Sequence, residues 1–467
     1  MKRCQQIYLG LLLLATPLWA QQNNPAPPVP PVVGPYNTPN QSDDQSDGQS
    51  GNRMLTPPPV SGQSYPIALA SEERSNHLRG GVAFTSAYTD NALGALSGPP
   101  VSDISDSVAP MIALDETTPR LHSILSYAPG FTFYQRESGR NEADENVLAD
   151  IQYRLSPHVT FSARDTFQKS SDVFNQPDLP SAESVSGGAL GPNFSIIAPI
   201  ADRLSNYGNL GLTYQFSLNS MVGASGSFSN LHYPNPAEVP GLYDSSSQAG
   251  SVFYSLRLSQ MHYVGATYQY QRLLSYPTEG TSETQTVAVL FFYTLYPNSK
   301  VSVSFFGGPQ YSDTAQAPIL PAQLPTPAAK AWTPAAGASA SWQGHLSTLA
   351  LSYSHVISGG GGLIETVHMD NLSLSLRQQL TRTLNASLSG GYAQNNVLGA
   401  SLPGVYSGHS VLGTASLRQQ FGQHVTLQLG YTRLHQDYSA VTVLSSAPDT
   451  NREFISLSYQ FSRPLGR

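Results

Sequence analysis

Four arginines occupy a repeated context that places them at comparable positions. Each follows an apolar residue and precedes a short polar turn by a few residues: Arg154, Arg257, Arg377 and Arg418. Guanidinium groups stay charged and carry several N–H donors, so a ring of them in a narrow, low-dielectric space would attract anionic or hydrogen-bonding molecules. The alternative is that they pair with carboxylates such as Asp150 or hydrogen-bond to the turns. We predict these four as the candidate site residues.

The sequence has no motif for catalysis or phosphate binding. Gly-x-Ser-x-Gly, His-Glu-x-x-His and Gly-x-x-x-x-Gly-Lys-Ser/Thr are all absent. His355 with Glu365 and His368 comes nearest to a catalytic cluster, but we interpret these as ordinary loop residues. The glycines at 359–362 predict a flexible loop tip, because no helix follows to bind a phosphate. We therefore predict no catalytic residue, no metal site, no cofactor and no enzymatic activity.

Composition limits the class of protein further. Only 11% of the 467 residues are charged, whereas a soluble protein normally has about a quarter. Small polar residues are abundant, and there are 25 Tyr and 17 Phe. This balance suits a wall that is wet on one side and apolar on the other. The formal net charge of −7 argues against nucleic acid as a partner.

The first 77 residues predict two segments that precede the fold. Lys2 and Arg3, an apolar run and then Ala20 form the layout of a secretory signal peptide over residues 1–20. The single cysteine, Cys4, lies inside it, so we expect a mature chain without disulfides. Residues 21–77 are rich in Pro, Asn, Gln and Ser and predict a disordered periplasmic leader. An acidic run at 43–48 is interpreted as solvated linker, since Met54 replaces the acid that a calcium loop requires.

From residue 78 to 467 the sequence alternates between apolar and polar residues in segments of about ten. The last segment is the clearest, with an apolar face formed by Ile455, Leu457, Tyr459 and Phe461. Comparable faces are formed by Leu210, Leu212, Tyr214 and Phe216, by Val425, Leu427, Leu429 and Tyr431, and by Val287, Val289, Phe291 and Tyr293. The stretch 101–134 is the least regular, and Pro129 and Gly130 interrupt it.

Short turns and long loops alternate along the chain. Short turns are predicted near residues 157, 219, 298, 382 and 423, and long loops at 170–206, 232–248, 312–335 and 394–408. Counting hairpins gives about eighteen strands, within a range of about 16 to 18. Within lipid every backbone N–H and C=O must be paired, so strands cross only as a closed barrel. A soluble β-sandwich, propeller or solenoid is the alternative. We predict an all-β, antiparallel transmembrane barrel with short periplasmic turns and long extracellular loops.

Together, the signal peptide, the alternation and the terminal segment Phe454–Phe461 resemble Gram-negative outer-membrane β-barrels, in particular porin-like proteins. The chain also resembles uncharacterised barrels of acidobacterial type. Its terminal segment resembles the signal that the barrel-assembly machinery reads, although residues 462–467 follow it here. The resemblance implies a location in the cell outer membrane, with lipid and lipopolysaccharide as partners.

The expected function is a porin-like channel for passive or weakly selective passage of small hydrophilic solutes. The alternatives are an exopolysaccharide or secretion conduit and a plugged structural or adhesin barrel. The loop at 170–206 is expected to fold inward as a constriction. Three inward phenylalanines, Phe253, Phe292 and Phe306, predict packing against such a loop, with a sugar-binding track as the alternative. Tyrosines near strand ends, such as those at 268, 270, 293, 296 and 431, predict interfacial girdles.

Overall fold

The computed structural model describes residues 76–92, 100–170, 174, 196, 201–236, 241–277, 280–298, 300–318, 326–364, 366–398, 407–438 and 449–465. The predicted signal peptide, the acidic run at 43–48 and all but the last two residues of the predicted leader lie outside this set. The first strand begins at Asn76, inside the predicted leader range.

Eighteen antiparallel strands account for nearly all the described chain. They are β1 (Asn76–Thr89), β2 (Asp103–Thr117), β3 (Leu121–Tyr134), β4 (Glu142–Ser156), β5 (Val159–Ser170), β6 (Arg203–Ser217), β7 (Ser220–His232), β8 (Asp244–Arg257), β9 (His262–Tyr276), β10 (Gly280–Asn298), β11 (Val301–Pro318), β12 (Thr326–Gln343), β13 (Ser347–Ser358), β14 (Val367–Gln379), β15 (Leu384–Val397), β16 (Ser407–Phe421), β17 (Val425–Tyr438) and β18 (Asp449–Pro464). A short 3-10 turn at Ser138–Arg140 precedes β4. No helix among the described residues is long and apolar enough to span a membrane.

The sheet closes on itself. Each strand pairs with its neighbours in chain order, and β1 pairs with β2 on one side and with β18 on the other. The closing pair runs from His77 opposite Pro464 to Thr89 opposite Arg452. Thr85 donates a hydrogen bond to Ser456 across it, at 2.8 Å. Closure leaves no free strand edge, which confirms the predicted barrel and its eighteen strands.

Residues paired directly across two strands point to the same face, so the register separates an inner from an outer face. The four apolar residues of the β18 face, from Ile455 to Phe461, are exposed on the outside. Ser456 and Ser458 point inward between them, opposite Gln428 and Thr426 of β17. The apolar faces predicted on β6 and β10 also point outward, as the exposed Leu210 and Phe291 illustrate.

Short turns lie at the end of the barrel where β1 begins and β18 ends, and longer connections lie at the opposite end. We call these the short-turn end and the long-loop end. The predicted alternation has one exception: β9 and β10 are joined at the long-loop end through residues 277–279 alone. The bounds predicted for the loop at 312–335 are wrong, because β11 runs to Pro318 and β12 starts at Thr326.

The reason for that error is physical. Strands of 18 residues are longer than the roughly 9 to 11 that a tilted strand needs to cross a bilayer. Beyond the apolar zone the outer face does not contact acyl chains and can carry charged side chains, such as the paired Asp313 and Lys330. Backbone pairing continues there without the alternation that marks a strand in sequence. The irregular stretch at 101–134 likewise forms two full strands, with β3 continuing through Pro129 and Gly130.

Candidate functional site

The inner face of the barrel is polar and unevenly charged. The described inward positions of β9 to β13 carry no Asp, Glu, Lys or Arg; Ser, Thr and Gln predominate. The inward carboxylates of the described strands lie on β2 and β4, where they are contributed by Asp103, Asp115, Glu142, Asp144 and Asp150. The lumen therefore has a neutral arc and a charged arc.

The four predicted arginines all point inward near the short-turn end, on β4, β8, β14 and β16. Only two of them come together. Arg377 lies opposite Ser387 and Arg418 opposite Asn385, two residues apart on the intervening β15. Arg257 stands elsewhere on the wall, with its guanidinium carbon 6.0 Å from the centre of the Tyr263 ring. Its Nε donates to the carbonyl of Ser259 in the adjacent turn, at 3.3 Å.

Asp150, the carboxylate predicted as a partner for these arginines, binds a different arginine. Asp150 accepts a hydrogen bond from Arg164 of β5 at 3.1 Å. A second inward ion pair joins Arg79 of β1 to Asp115 of β2, at 2.8 Å. Among the described residues, no carboxylate forms an ion pair with Arg154. Sequence reasoning missed both ion pairs, although the inward parity of Arg79 and Arg164 could have indicated them.

The inward phenylalanines pack against glycines of the neighbouring strand. Phe253 lies opposite Gly223, Phe292 opposite Gly265 and Phe306 opposite Gly337. In each pair a side chain on the glycine would overlap the ring. Further cross-strand pairs of this kind join Gly430 to Phe454, Gly408 to Tyr438, Gly208 to Phe228 and Gly80 to Phe461. The rings lie along the wall over these glycines; packing against the inward loop stays a prediction, because most of that loop lies outside the described residues.

Tyr296 also departs from its predicted place. It points inward and packs edge-on against Tyr263, with the ring centres 5.6 Å apart. It therefore belongs to a lumen cluster with Met221 and Phe253 and not to an outer girdle. Tyr268 and Tyr431, in contrast, are exposed on the outer face as predicted.

The outer surface has three zones along the barrel axis. Exposed aliphatic residues form the middle, among them Leu125, Val147, Leu210, Leu212, Val252, Leu351, Leu372, Leu374, Leu388, Leu429, Ile455 and Leu457. Exposed aromatic residues flank them at the short-turn end: Tyr153, Tyr214, Phe216, Tyr254, Trp342, Phe421, Tyr459 and Phe461. A second aromatic group lies toward the long-loop end: Tyr88, Phe131, Phe133, Phe228, Tyr276 and Trp332. An apolar belt between two aromatic girdles around a closed sheet is the surface of a barrel embedded in lipid.

The chain is an outer-membrane β-barrel. Its short turns face the periplasm and its long loops face outside, as in this class of barrel.

Comparisons with known proteins find similar shapes without similar sequences. No family model matches the chain, and no curated protein matches it. The unliganded ferric citrate transporter FecA aligns at a TM-score of 0.45 and 9% identity, over 83% of this chain and 79% of that one. OccAB4 of Acinetobacter baumannii aligns at 0.40 and 10% identity, over 84% and 99%. The outer membrane protein opdK of Pseudomonas aeruginosa aligns at 0.39 and 10%, over 83% and 99%.

At the extracellular end of this barrel, two loops meet over the lumen. We call this contact the mouth bridge: it joins Tyr233 and Tyr243 of the β7–β8 loop to Gly361 and Gly362 of the β13–β14 loop. Tyr233 donates from its hydroxyl to the Gly361 carbonyl at 2.8 Å, and the Tyr243 backbone N–H donates to the Gly362 carbonyl at 2.9 Å. Apolar side chains pack around it, namely Ile196, Ala201, Leu242, Leu363, Ile364, Val367 and Tyr438.

The bridge corrects the prediction for the glycine run. Gly361 and Gly362 have φ of 66° and 83°, the left-handed region that favours glycine. A side chain on Gly362 would overlap the Tyr233 ring and the Tyr243 carbonyl. The run is thus a packed support and not a free loop tip. Burial raises the pKa of Tyr233 to about 12, so its phenol stays protonated and able to donate.

The predicted inward fold of the 170–206 loop is seen at two described residues. Phe174 packs against Leu412 and Leu434 on the inner faces of β16 and β17. The Arg452 guanidinium of β18 lies 5.4 Å from the centre of its ring. Ile196 is buried in the mouth bridge cluster. Residues 171–173, 175–195 and 197–200 of this loop lie outside the described residues.

The histidines flagged by sequence lie on the outer face. His355 Nδ1 is 2.9 Å from Asp370, and its ring stacks on that of His368 with centres 6.0 Å apart. Glu365 lies outside the described residues. Nearby outer ion pairs at this end include Arg272 with Glu283 and Arg433 with Asp449, each at 2.8 Å. No group of three metal-ligating side chains occurs in the described part of the chain.

Proposed function

We propose that this barrel is a channel through which small hydrophilic solutes cross the outer membrane by passive or weakly selective diffusion. The polar inner face around a ring of eighteen strands supports the proposal. A barrel of about 16 to 18 strands is wide enough for an aqueous passage, whereas about eight leave room only for side chains. Hydroxyl and amide groups offer a passing solute exchangeable hydrogen bonds without holding it tightly.

The proposed selectivity depends on the lumen arginines. Arg377 and Arg418 flank β15 near the periplasmic mouth, and Arg154 lies on β4 at the same end. Two guanidinium groups so placed raise the local concentration of anions. The ion pairs Arg79–Asp115 and Arg164–Asp150 contribute little net charge to the lumen. We therefore propose a weak preference for anionic solutes.

Planar-bilayer recording tests the proposal. Purified protein is expected to open in discrete ohmic steps, and a salt gradient should give a reversal potential on the anion-selective side. Replacing Arg154, Arg377 and Arg418 with Gln should shift the permeability ratio toward cations, by up to roughly fivefold if the three charges together contribute about 1 kcal/mol at water-like screening. Open steps with an unchanged permeability ratio would contradict the role of the arginines but still support the proposed channel.

A second candidate function, a structural barrel with a closed lumen, is favoured by the mouth bridge. Loops that hydrogen-bond to each other over the lumen narrow the extracellular opening. This candidate predicts electrical silence of protein that is folded by the criterion of heat-dependent migration on gels. Sustained open steps would exclude it.

Three partners are proposed on the same outer surface. Lipid and lipopolysaccharide would contact the apolar belt and the ion pairs above it, and the barrel-assembly machinery would read β18 from Phe454 to Phe461. Phe461 also covers Gly80 at the closing seam. Phe461→Leu keeps an apolar side chain there but removes the ring, so slower assembly in vivo with normal refolding into detergent would support recognition.

A further inference from the structure

The inward side chains of β8 to β11 are almost completely buried, although they face the lumen. Buried inward residues on these four strands include Ser247, Ser251, Ser255, Thr267, Gln269, Gln271, Ser275, Ser282, Thr284, Thr286, Thr294, Ser304, Gln310, Ser312 and Thr314. They extend from the periplasmic end, at Ser255 and Thr294, to the extracellular end, at Ser275 and Thr314. This arc of the wall is therefore closed to solvent over its whole depth.

The remaining wall differs in its periplasmic half, although its extracellular half also carries buried inward residues, among them Asp103, Gln168, Arg203, Asn395, Ser410, Thr432 and Arg452. On β18, β1 and β2 many inward side chains keep partial exposure, as do those of Ser456, Ser458, Thr85 and Ser107. Similar exposure is found around Arg377 and Arg418 on β14 and β16. In the periplasmic half, solvent thus reaches the inner face of these strands and not that of β8 to β11.

The mouth bridge covers the buried arc at the extracellular end. It connects the loop before β8 with the loop after β13, so it spans the mouth as a chord above β8 to β13. Below it Leu273 of β9 packs against Ile357 of β13 and Leu398 after β15. These contacts cover Leu273 at the extracellular end of the buried arc.

We infer that the passage through the periplasmic half of this barrel is eccentric: it runs along β14 to β18 and β1 to β6, and the buried inner face of β8 to β11 does not line it. The inference rests on the proposed channel function and adds which residues meet the solute. Arg154, Arg377 and Arg418 border the passage. Arg257 ends the buried arc, and its guanidinium is held by the Tyr263 ring and the Ser259 carbonyl, so it lies off the path.

Cysteine labelling tests the geometry without requiring conductance. The only natural cysteine is in the predicted signal peptide, so single substitutions give a clean signal in protein lacking residues 1–20. Ser251→Cys and Ser312→Cys probe the buried arc; Ser107→Cys and Ser456→Cys are matched serine positions on the other wall. Folded protein in liposomes is treated with a charged methanethiosulfonate, and each variant is also labelled after denaturation.

The two buried positions should react at least about tenfold more slowly than the two exposed ones in the folded state. All four should react equally when denatured. Comparable folded-state rates on both walls would overturn the inference. Asymmetric labelling in protein that conducts no current would reject the proposed channel but keep the partition of the lumen.

A conductance experiment assigns the arginines. Arg418→Gln should lower the anion-to-cation permeability ratio by roughly twofold or more, whereas Arg257→Gln, which removes the same charge from the same end, should leave it unchanged. Equal shifts from the two variants would place Arg257 on the path and overturn the eccentric passage. Shifts from neither would contradict the arginine selectivity proposed above, with the labelling result deciding the geometry separately.

Discussion

At the scale of the residue, the recurring device is a glycine facing an aromatic ring across two strands. A glycine leaves an unfilled space on the barrel wall and destabilises its strand, because it has no side chain to pack. A ring laid over the space from the neighbouring strand restores the packing. Both members are visible in sequence, but their pairing depends on register, which a single sequence does not specify. This is why Phe253, Phe292 and Phe306 were recognised as inward while their partners were not.

This device predicts unequal effects of two equivalent substitutions. In Gly265→Ala the new methyl group would sit 2.3 Å from the Phe292 ring and 2.2 Å from the Tyr254 carbonyl oxygen. Since the carbonyl belongs to the paired backbone, relief requires the strand to shift, and we expect a loss of roughly 1–3 kcal/mol in stability. Urea-induced unfolding from detergent micelles measures it.

Gly413→Ala is the control, because nothing lies within 4 Å of its added carbon. It should leave the unfolding midpoint unchanged or slightly higher. Equal losses in the two variants would show that glycine itself, and not its cross-strand ring, sets the stability at these positions.

At the scale of the element, the sequence predicted the lipid-facing sides of the strands but not the contacts between loops. Outer faces of β6, β10, β17 and β18 were predictable, because contact with acyl chains requires an apolar residue at every second position. The outer ends of β11 and β12 were not, since no such requirement exists above the belt. The mouth bridge could not be predicted either, because residues 233 and 361 are brought together only by closure of the barrel.

The bridge makes a prediction within one glycine run. Gly362→Ala adds a methyl group 2.5 Å from the Tyr233 ring at a φ of +83°, so both the packing and the backbone conformation are disturbed. We expect hydrogen exchange of the Tyr243 amide, which donates to Gly362, to accelerate by roughly tenfold or more. Exchange followed by mass spectrometry on peptides covering 233–243 and 359–364 measures this.

Gly359→Ala, three residues away, is the matched comparison, since it has open space around it. Its exchange rates should equal those of the unsubstituted protein. Acceleration in both variants would mean that the loop is loosely held and that the contacts of Tyr233 do not stabilise it.

At the scale of the whole molecule, the four arginines predicted from sequence are correctly placed on the inner face but do not form one equal ring. Alternation fixes the face of each residue, and the spacing to the turn fixes its approximate level. Neither reveals that one arc of the wall is buried or that Asp150 binds Arg164. Those facts depend on which strands lie opposite one another and on contacts across the lumen, so the inner face was predictable and the passage was not.

The barrel is stable in lipid only if its first strand pairs with its last, and this pairing can be tested directly. Ala83 of β1 lies opposite Ser458 of β18, and both point inward, so Ala83→Cys with Ser458→Cys places two thiols on adjacent strands. A pair directly opposite across two antiparallel strands has β-carbons about 4.5–5.5 Å apart, within reach of a disulfide after small adjustments. Oxidation should therefore give an intramolecular bond in folded protein, seen as a reducible shift in migration on gels. Ala83→Cys with Ser416→Cys, two strands further along, is the negative control. Equal crosslinking of both pairs, or of neither when Thr85→Cys with Ser456→Cys also fails, would mean that the sheet does not close at this seam, and an open sheet with free edges could not remain in lipid.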